Sequence, residues 1–266
     1  MMLIGLPSGA FHNVSSGTQE IIQAIRKISE LGFPLVELST DVEVYYPRRL
    51  RLVAMNVDLS MKYTAHMPFI TPSIGSPAKE MREMTERIFQ RVIESLRPFD
   101  PIHYVIHPLG IGEEKGIVMG LDLEGLEDRV VEMHEIIGDY VGVHHRVLIE
   151  NTEYIPLERR EKYLEDYGFY GCLDVGHVVL QGKDPIEVLE RVGRYVKEIH
   201  LHDVVLSRRP HGEIKIDHMP PGVGIVSVGE ILEYAKRLKI PVVILEVYNP
   251  KYAFLAAERA KKLGIL

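Results

Sequence analysis

The chain has 266 residues, 46% of them hydrophobic, and a formal net charge of −7. This length fits one large α/β domain or two small ones, and the hydrophobic content is sufficient for a substantial core. The negative charge argues against a broad nucleic-acid footprint, because contacts to phosphates need clustered Lys and Arg, but it is compatible with a local basic groove.

Cysteine usage and hydropathy restrict the class further. The single cysteine, Cys172, rules out a disulfide framework within the chain. No apolar run is long enough to span a bilayer, and no charged start is followed by an apolar block and a cleavage site. We therefore expect a cytoplasmic protein with no membrane partner.

Short apolar runs alternate with amphipathic helical patterns along the chain. Eight runs are predicted as strands, at 3–7, 35–39, 63–67, 102–107, 147–151, 170–175, 196–201 and 242–247. Helices are predicted at 18–31, 77–96, 123–140, 156–166, 185–192, 228–238 and 252–263. A poorly patterned segment follows the second strand, and a Gly-rich loop follows the fourth. The runs are dense in Val, Ile and Leu, which is typical of parallel strands covered on both faces.

Eight strand–helix units predict a single (β/α)₈ TIM barrel that spans residues 1–266, because ~250 residues is typical of that fold. The alternative is an open doubly wound sheet, which normally has a Gly-rich phosphate loop after its first strand. Here that turn reads Pro-Ser-Gly-Ala-Phe-His at 7–12, which is not G-x-G-x-x-G. The barrel is the better interpretation.

Six consecutive strands, from the third to the eighth, end in a residue that can bind a divalent metal. These residues are His66, His107, Glu150, Asp174 with His177 three positions on, His200 and Glu246, and His218 lies in the loop after the His200 strand. In a barrel, the loops at the carboxyl ends of the strands form the active site. Any one of these side chains could be structural, but independent placement at six strand ends is improbable. The pattern therefore predicts a metal site.

The donor types suit zinc, manganese or iron, because magnesium and calcium prefer shells made entirely of oxygen.

Asp174 and His177 could bind over one strand end, with Gly176 allowing a tight turn between them. His200 and His202 share a strand face, so only one of them needs to be a ligand. Asp203 is expected to orient an imidazole.

The segment 204–224 is predicted to be the longest loop after any strand. One interpretation is a solvated, mobile loop; the other is a lid whose cations hold an anionic substrate, such as a phosphate, above the metal. The substrate-binding candidates are Arg208, Arg209 and Lys215, together with His202 before the loop.

Several motifs occur in one order from the third strand to the eighth. They are His-Met-Pro-Phe at 66–69, Val-Ile-His-Pro at 105–108, Ile-Glu-Asn-Thr at 149–152, Cys-Leu-Asp-Val-Gly-His at 172–177, His-Leu-His-Asp at 200–203, His218 with Pro-Gly-Val-Gly at 221–224, and Leu-Glu at 245–246. In this order and spacing they resemble the xylose isomerase-like TIM barrels, the superfamily of endonuclease IV and of many sugar isomerases and epimerases.

The resemblance implies roles for the strand-end residues. Glu150, Asp174, His200 and Glu246 would form the metal site shared by the isomerases and epimerases. Because Glu150 and Glu246 lie at the fifth and eighth strands, they could flank the substrate as catalytic base and acid. The additional ligands of the endonuclease IV three-zinc cluster correspond to His66, His107, His177 and His218. One to three metal ions are therefore expected.

Two functions follow from the resemblance. The favoured one is a metal-dependent sugar or sugar-phosphate isomerase or epimerase that works through an ene-diolate. The alternative is a multi-zinc phosphoesterase that resembles endonuclease IV and hydrolyses DNA at abasic sites. The family's D-x-H is replaced by adjacent Asp217 and His218, which favours the isomerase and makes nucleic acid the less expected substrate.

Overall fold

The computed structural model describes residues 2–118, 124–209 and 212–266. The strands are β1 (Leu3–Pro7), β2 (Leu35–Ser39), β3 (Lys62–His66), β4 (Tyr104–Ile106), β5 (Val147–Glu150), β6 (Tyr170–Asp174), β7 (Val196–Leu201), β8 (Asp203–Arg209), β9 (Gly212–Met219) and β10 (Val242–Leu245). All but β8 and β9 are parallel strands of one closed barrel, in which β1 pairs with both β2 and β10. The predicted (β/α)₈ fold class is confirmed.

The helices lie between the barrel strands in the described part of the chain. They are α1 (Thr18–Glu30), α2 (Val42–Tyr45), α3 (Arg49–Ala54), α4 (Lys79–Leu96), α5 (Ile111–Val118), α6 (Leu126–Val141), α7 (Glu161–Tyr167), α8 (Val175–Leu180), α9 (Pro185–Val192), α10 (Val228–Arg237) and α11 (Pro250–Lys262). In this range, no helix is both long and apolar enough to cross a membrane.

Three connections contain regular structure that was not predicted from the sequence. The poorly patterned segment after β2 contains α2 and α3, and the Gly-rich loop after β4 contains α5. The predicted loop at 204–224 contains the antiparallel hairpin of β8 and β9, with Val205 opposite Ile216 and Ser207 opposite Ile214. Its Leu206, Ile214 and Ile216 are exposed. Ile214, Lys215, Ile216 and Asp217 nevertheless alternate between apolar and polar in the sequence, which is the pattern of a strand, and it was not recognised in this segment.

The barrel places its apolar and polar residues in layers. Alternation along a strand puts Leu148 and Glu150 on one face of β5, and Cys172 and Asp174 on one face of β6. Leu148 and Cys172 pack with Val105 in a small buried cluster that is separate from the main core between strands and helices. Below the strand ends, apolar side chains thus pack around a buried ion pair of Glu198 with His103 at 2.7 Å, and the predicted ligands lie above them.

His134 on α6 predicts a measurable pH dependence of stability. Its ring is fully buried against Phe169, and Nε2–H donates to the carbonyl of Val147 at 3.0 Å. Burial lowers the pKa of His134 to about 4. Between this value and the ordinary value of about 6.5, the unfolded chain binds a proton that the folded chain does not, so this contribution to stability is present above pH 6.5 and is lost as pH falls towards 4.

His134→Gln keeps an N–H donor and removes the titration. From pH 7.5 to 5.5, we expect wild type to lose about 1 kcal/mol more of its free energy of unfolding than the variant does. Urea unfolding at both values measures the difference. Equal losses in the two proteins would show that His134 does not titrate as described.

Candidate metal centre

The structure brings all eight predicted metal ligands to one end of the barrel. His66, Glu150 and Asp174 are the last residues of β3, β5 and β6, and His107 and Glu246 come directly after β4 and β10. His200 lies in β7, His177 in α8 and His218 in β9. They form three adjoining groups whose ligand atoms lie within 4.8 Å of one another: His66, His107 and Glu150; Glu150, Asp174, His200 and Glu246; and Asp174, His177, His202 and His218.

Glu150 lies between the first two groups. Its Oε1 is 2.9 Å from His200 Nδ1, and its Oε2 is 3.3 Å from His66 Nε2 and 3.1 Å from His107 Nε2. Although two imidazoles are this near, Oε2 accepts no hydrogen bond from a described residue. Buried lone pairs that converge without being satisfied are what a metal site presents before it is loaded.

Glu246 completes the second group. Its Oε1 lies 3.6 Å from His200 Nδ1 and accepts a hydrogen bond of 2.6 Å from the hydroxyl of Tyr248. Its Oε2 is 3.5 Å from His218 Nε2 and, like the outer oxygen of Glu150, is buried without a hydrogen-bond partner among the described residues. The carboxylate–imidazole donor set fits zinc, manganese or iron.

Four of the imidazoles have one nitrogen next to a fixed acceptor, and in His66, His200 and His218 the other nitrogen faces a carboxylate of the centre. The pairs are His66 Nδ1 with the carbonyl of Met67 at 3.1 Å, His177 Nδ1 with the carbonyl of Asn151 at 3.1 Å, His200 Nε2 with Glu37 Oε1 at 3.1 Å, and His218 Nδ1 with Asp217 Oδ2 at 3.3 Å. Such partners orient metal-binding imidazoles and fix their tautomers. Asp217 therefore acts on His218 and need not be a ligand itself.

The electrostatics of the centre follow from burial and mutual contact. Burial alone would raise the pKa of Glu150, but His200 and His107 hold it well below its ordinary value. Burial alone would lower the pKa of His66, but Glu150 and Glu37 raise it to about 9. The imidazoles of His66 and His200, whose pKa values are both raised, supply the positive charge that a divalent cation would supply instead.

Glu37 was not predicted from the sequence. It is fully buried on β2, and its Oε1 is the partner of His200 Nε2. The available signal was an acidic residue in the middle of an apolar strand, because a charge is almost never buried without a partner. Glu37 lies in the middle of β2 and not at its end, so it is not part of the strand-end pattern.

His202 does not have the predicted substrate-binding position. It is fully buried, its Nδ1 accepts the backbone N–H of His218 at 2.9 Å, and the ring proton on Nε2 therefore faces both oxygens of Asp174 at 3.1 Å. Gly176 makes room for the ring, since a Cβ there would collide with it. Gly176 lies in α8 and not in the predicted tight turn. His202 positions the carboxylate of Asp174 and the backbone of His218.

Of the three predicted cations in segment 204–224, only Lys215 has a described side chain, and its amino group contacts backbone carbonyls. Lys215 Nζ donates to the carbonyls of Val179 and Leu180 at 3.0 and 3.2 Å, which fastens β9 to the end of α8. The side chains of Arg208 and Arg209 lie outside the described part of the structure.

Asp203 has a different role from the predicted one of orienting an imidazole. Its Oδ1 accepts the backbone N–H groups of Val204 and Val226, and its Oδ2 accepts those of Gly222 and Gly224, all at 2.8–3.0 Å. The carboxylate therefore holds the segment that follows His218 in place.

Asp203→Asn replaces one acceptor oxygen by an amide group that faces two N–H donors. We expect the free energy of unfolding to fall by about 3 kcal/mol, since each hydrogen bond to a charged group contributes about 1.5–3 kcal/mol. Urea unfolding measures the loss, with Asp166→Asn on the exposed side of α7 as the control. A change below about 0.5 kcal/mol would contradict this role for Asp203.

A cavity of about 210 Å³ opens onto the metal centre. Six of the eight strand-end ligands line it, together with Phe69, Glu114, Lys115 and Tyr248. Phe69 packs on the rings of His66 and His107, with centroids 4.8 and 4.7 Å away. Lys115 is the only Lys or Arg among the described lining residues.

The chain matches the model of the xylose isomerase-like TIM barrel family over residues 25–264, and it belongs to that family. It is 29% identical over 194 residues to a probable endonuclease 4 of Aquifex aeolicus (strain VF5), a match that spans 64% of each protein. A D-psicose 3-epimerase structure from Clostridium cellulolyticum H10 has a TM-score of 0.73 at 15% identity and covers 98% of this chain and 97% of its own. Endonuclease IV from Thermus thermophilus has a TM-score of 0.68 at 17% identity and covers 98% of each.

Proposed function

We propose that this chain is a phosphoesterase that works with at least two divalent metal ions. The observation that carries this proposal is the position of Glu150, which offers one oxygen to His200 and the other to His66 and His107. A carboxylate between two ligand groups suits two neighbouring ions. When bound, such ions lower the pKa of water and neutralise charge on a phosphate group.

The residues of the chain perform three tasks in this proposal. His66, His107 and Glu150 would hold one ion, and Asp174, His200 and Glu246 with Glu150 would hold another. Glu37 and Asp217 orient the imidazoles that contact them. Lys115 attracts the anionic substrate to the cavity. In the hydrolysis, the oxygen of water bonds to phosphorus, and the ester oxygen leaves with a proton.

A sugar isomerase or epimerase is the second candidate, and one observation favours it. Glu150, Asp174, His200 and Glu246 form a group that is sufficient for one ion. In that reaction Glu150 and Glu246 would exchange protons with the sugar. However, Glu150 has both oxygens beside imidazoles, so neither oxygen is free to act as a base.

Parallel assays on the zinc- or manganese-loaded chain separate the two candidates. The substrates are a duplex with one abasic site, bis(p-nitrophenyl) phosphate, and a panel of ketoses and ketose phosphates in D₂O. We expect cleavage of a phosphate ester, its loss after chelation, its return with metal, and no deuterium at a sugar carbon. Metal-dependent deuterium exchange without ester cleavage would overturn the phosphoesterase and support the isomerase.

A further inference from the structure

A second cavity, of about 290 Å³, adjoins the first over the ends of β1, β2 and β3. The two cavities share His66, Phe69 and Tyr248 as lining residues. A substrate whose reacting group lies at the metal centre would therefore extend directly into the second cavity.

The lining of the second cavity is mainly apolar. Val14, Val42, Phe69 and Ile70 contribute side chains, and Tyr248 contributes its ring. Ile70 is 37% exposed and Tyr248 42% exposed, so apolar surface lies open beside the metal centre. Open apolar surface in a concave site is the usual sign that a ligand covers it.

Apart from His66 at the metal centre, the polar lining groups offer no positive charge to a ligand. No Lys or Arg is among the described residues that line this cavity. Asp41 Oδ1 already accepts the backbone N–H groups of Phe69 and Ile70 at 3.2 and 3.1 Å. His12 Nε2 is 3.0 Å from Ser8 Oγ, and burial lowers the pKa of His12. Away from His66 and the metal centre, an anionic group would find no counter-charge here.

We infer that the second cavity is a subsite for an uncharged, largely apolar substituent, such as an aromatic ring, on the phosphate ester that the metal centre hydrolyses. This inference rests on the proposed phosphoesterase function. It also restricts the substrate class. A nucleic-acid strand carries a charge at every phosphate and needs Lys or Arg beside its backbone. A small ester with one phosphate and a neutral ring matches the pair of cavities better.

Binding of phosphonates, which cannot be hydrolysed, tests the subsite on the zinc-loaded full chain. Calorimetry compares methylphosphonate, naphthylmethylphosphonate and a propane bisphosphonate, which carries a second charge in place of the ring. We expect the naphthyl compound to bind at least ~10-fold more tightly than the methyl compound, because its ring is removed from water. The bisphosphonate should gain nothing over methylphosphonate. Equal binding of the naphthyl and methyl compounds, or tightest binding of the bisphosphonate, would overturn the subsite.

Two variants locate the effect. Ile70→Asp places a charge at the mouth of the second cavity, and Met55→Asp places one at a site 78% exposed on the C-terminal side of α3. We expect Ile70→Asp to weaken binding of the naphthyl compound at least ~5-fold and to leave binding of the methyl compound unchanged. Met55→Asp should change the binding of neither compound. Equal effects of the two variants would contradict the assignment.

Failure of the proposed function gives a different pattern. If no phosphonate binds with zinc present, the phosphate site is absent, and uncharged 2-naphthylmethanol becomes the probe of the second cavity. Its binding, weakened by Ile70→Asp and not by Met55→Asp, would support a neutral subsite without phosphoesterase function. Lack of binding would overturn the subsite as well.

Discussion

Glu150→Gln is expected to abolish metal-dependent activity, with a loss of at least ~10³-fold in kcat/KM. Glu150 is the only residue whose oxygens face both the His66–His107 pair and His200 among the described residues. The amide keeps the size of the side chain but removes the charge and one acceptor oxygen. Both ions should therefore bind more weakly. Steady-state kinetics and metal analysis of the same preparation measure the two effects together.

A matched control separates this effect from general damage. Glu233→Gln makes the same chemical change at an exposed position of α10 and should leave kcat/KM and metal content within about twofold of wild type. Circular dichroism should show the barrel intact in both variants. If Glu150→Gln kept its metal and more than a tenth of its activity, the central role of Glu150 would be refuted.

His107→Ala is expected to remove one metal ion per chain and to leave the other. His107 contacts Glu150 through Nε2 at 3.1 Å, and it is absent from the group of Glu150, Asp174, His200 and Glu246. Loss of an imidazole ligand should weaken metal binding at the group of His66, His107 and Glu150 by at least ~100-fold. Even residues that only support the ligands contribute 10–100-fold to metal affinity. Phosphoesterase activity should fall by a similar factor.

The same variant distinguishes the two candidate reactions. A single-metal isomerase would retain its activity in His107→Ala, because the four-residue group is untouched. His145→Ala, at an exposed histidine before β5, is the control for removing an imidazole. Unchanged metal content and unchanged ester hydrolysis in His107→Ala would contradict the two-ion site.

The barrel and the ligand set could be predicted for the same physical reason. Parallel strands covered on both faces are continuous apolar runs, so a polar residue such as Glu150 or Asp174 at the end of a run marks the active-site face. All eight predicted ligands lie together in the structure. Because there are so many of them, the candidate metal centre could be predicted without knowledge of any contact.

The parts that could not be predicted depend on contacts that leave no pattern in the chain. Asp203 accepts four backbone N–H groups, which no residue type reveals. Lys215 donates to backbone carbonyls at the end of α8. The sequence shows only that Lys215 is a cation near the predicted metal ligand His218. His202 was expected to contact substrate, yet it is fully buried against Asp174. Charge and proximity in sequence do not determine which way a side chain points.

The number of metal ions per chain tests the central claim most directly. Metal-free protein would be titrated with zinc and with manganese by equilibrium dialysis, and bound metal would be counted by mass spectrometry in wild type and in His107→Ala. We expect at least two tightly bound ions in wild type and one fewer in the variant. One ion in both proteins would contradict the multinuclear centre and leave the single-metal isomerase as the better account.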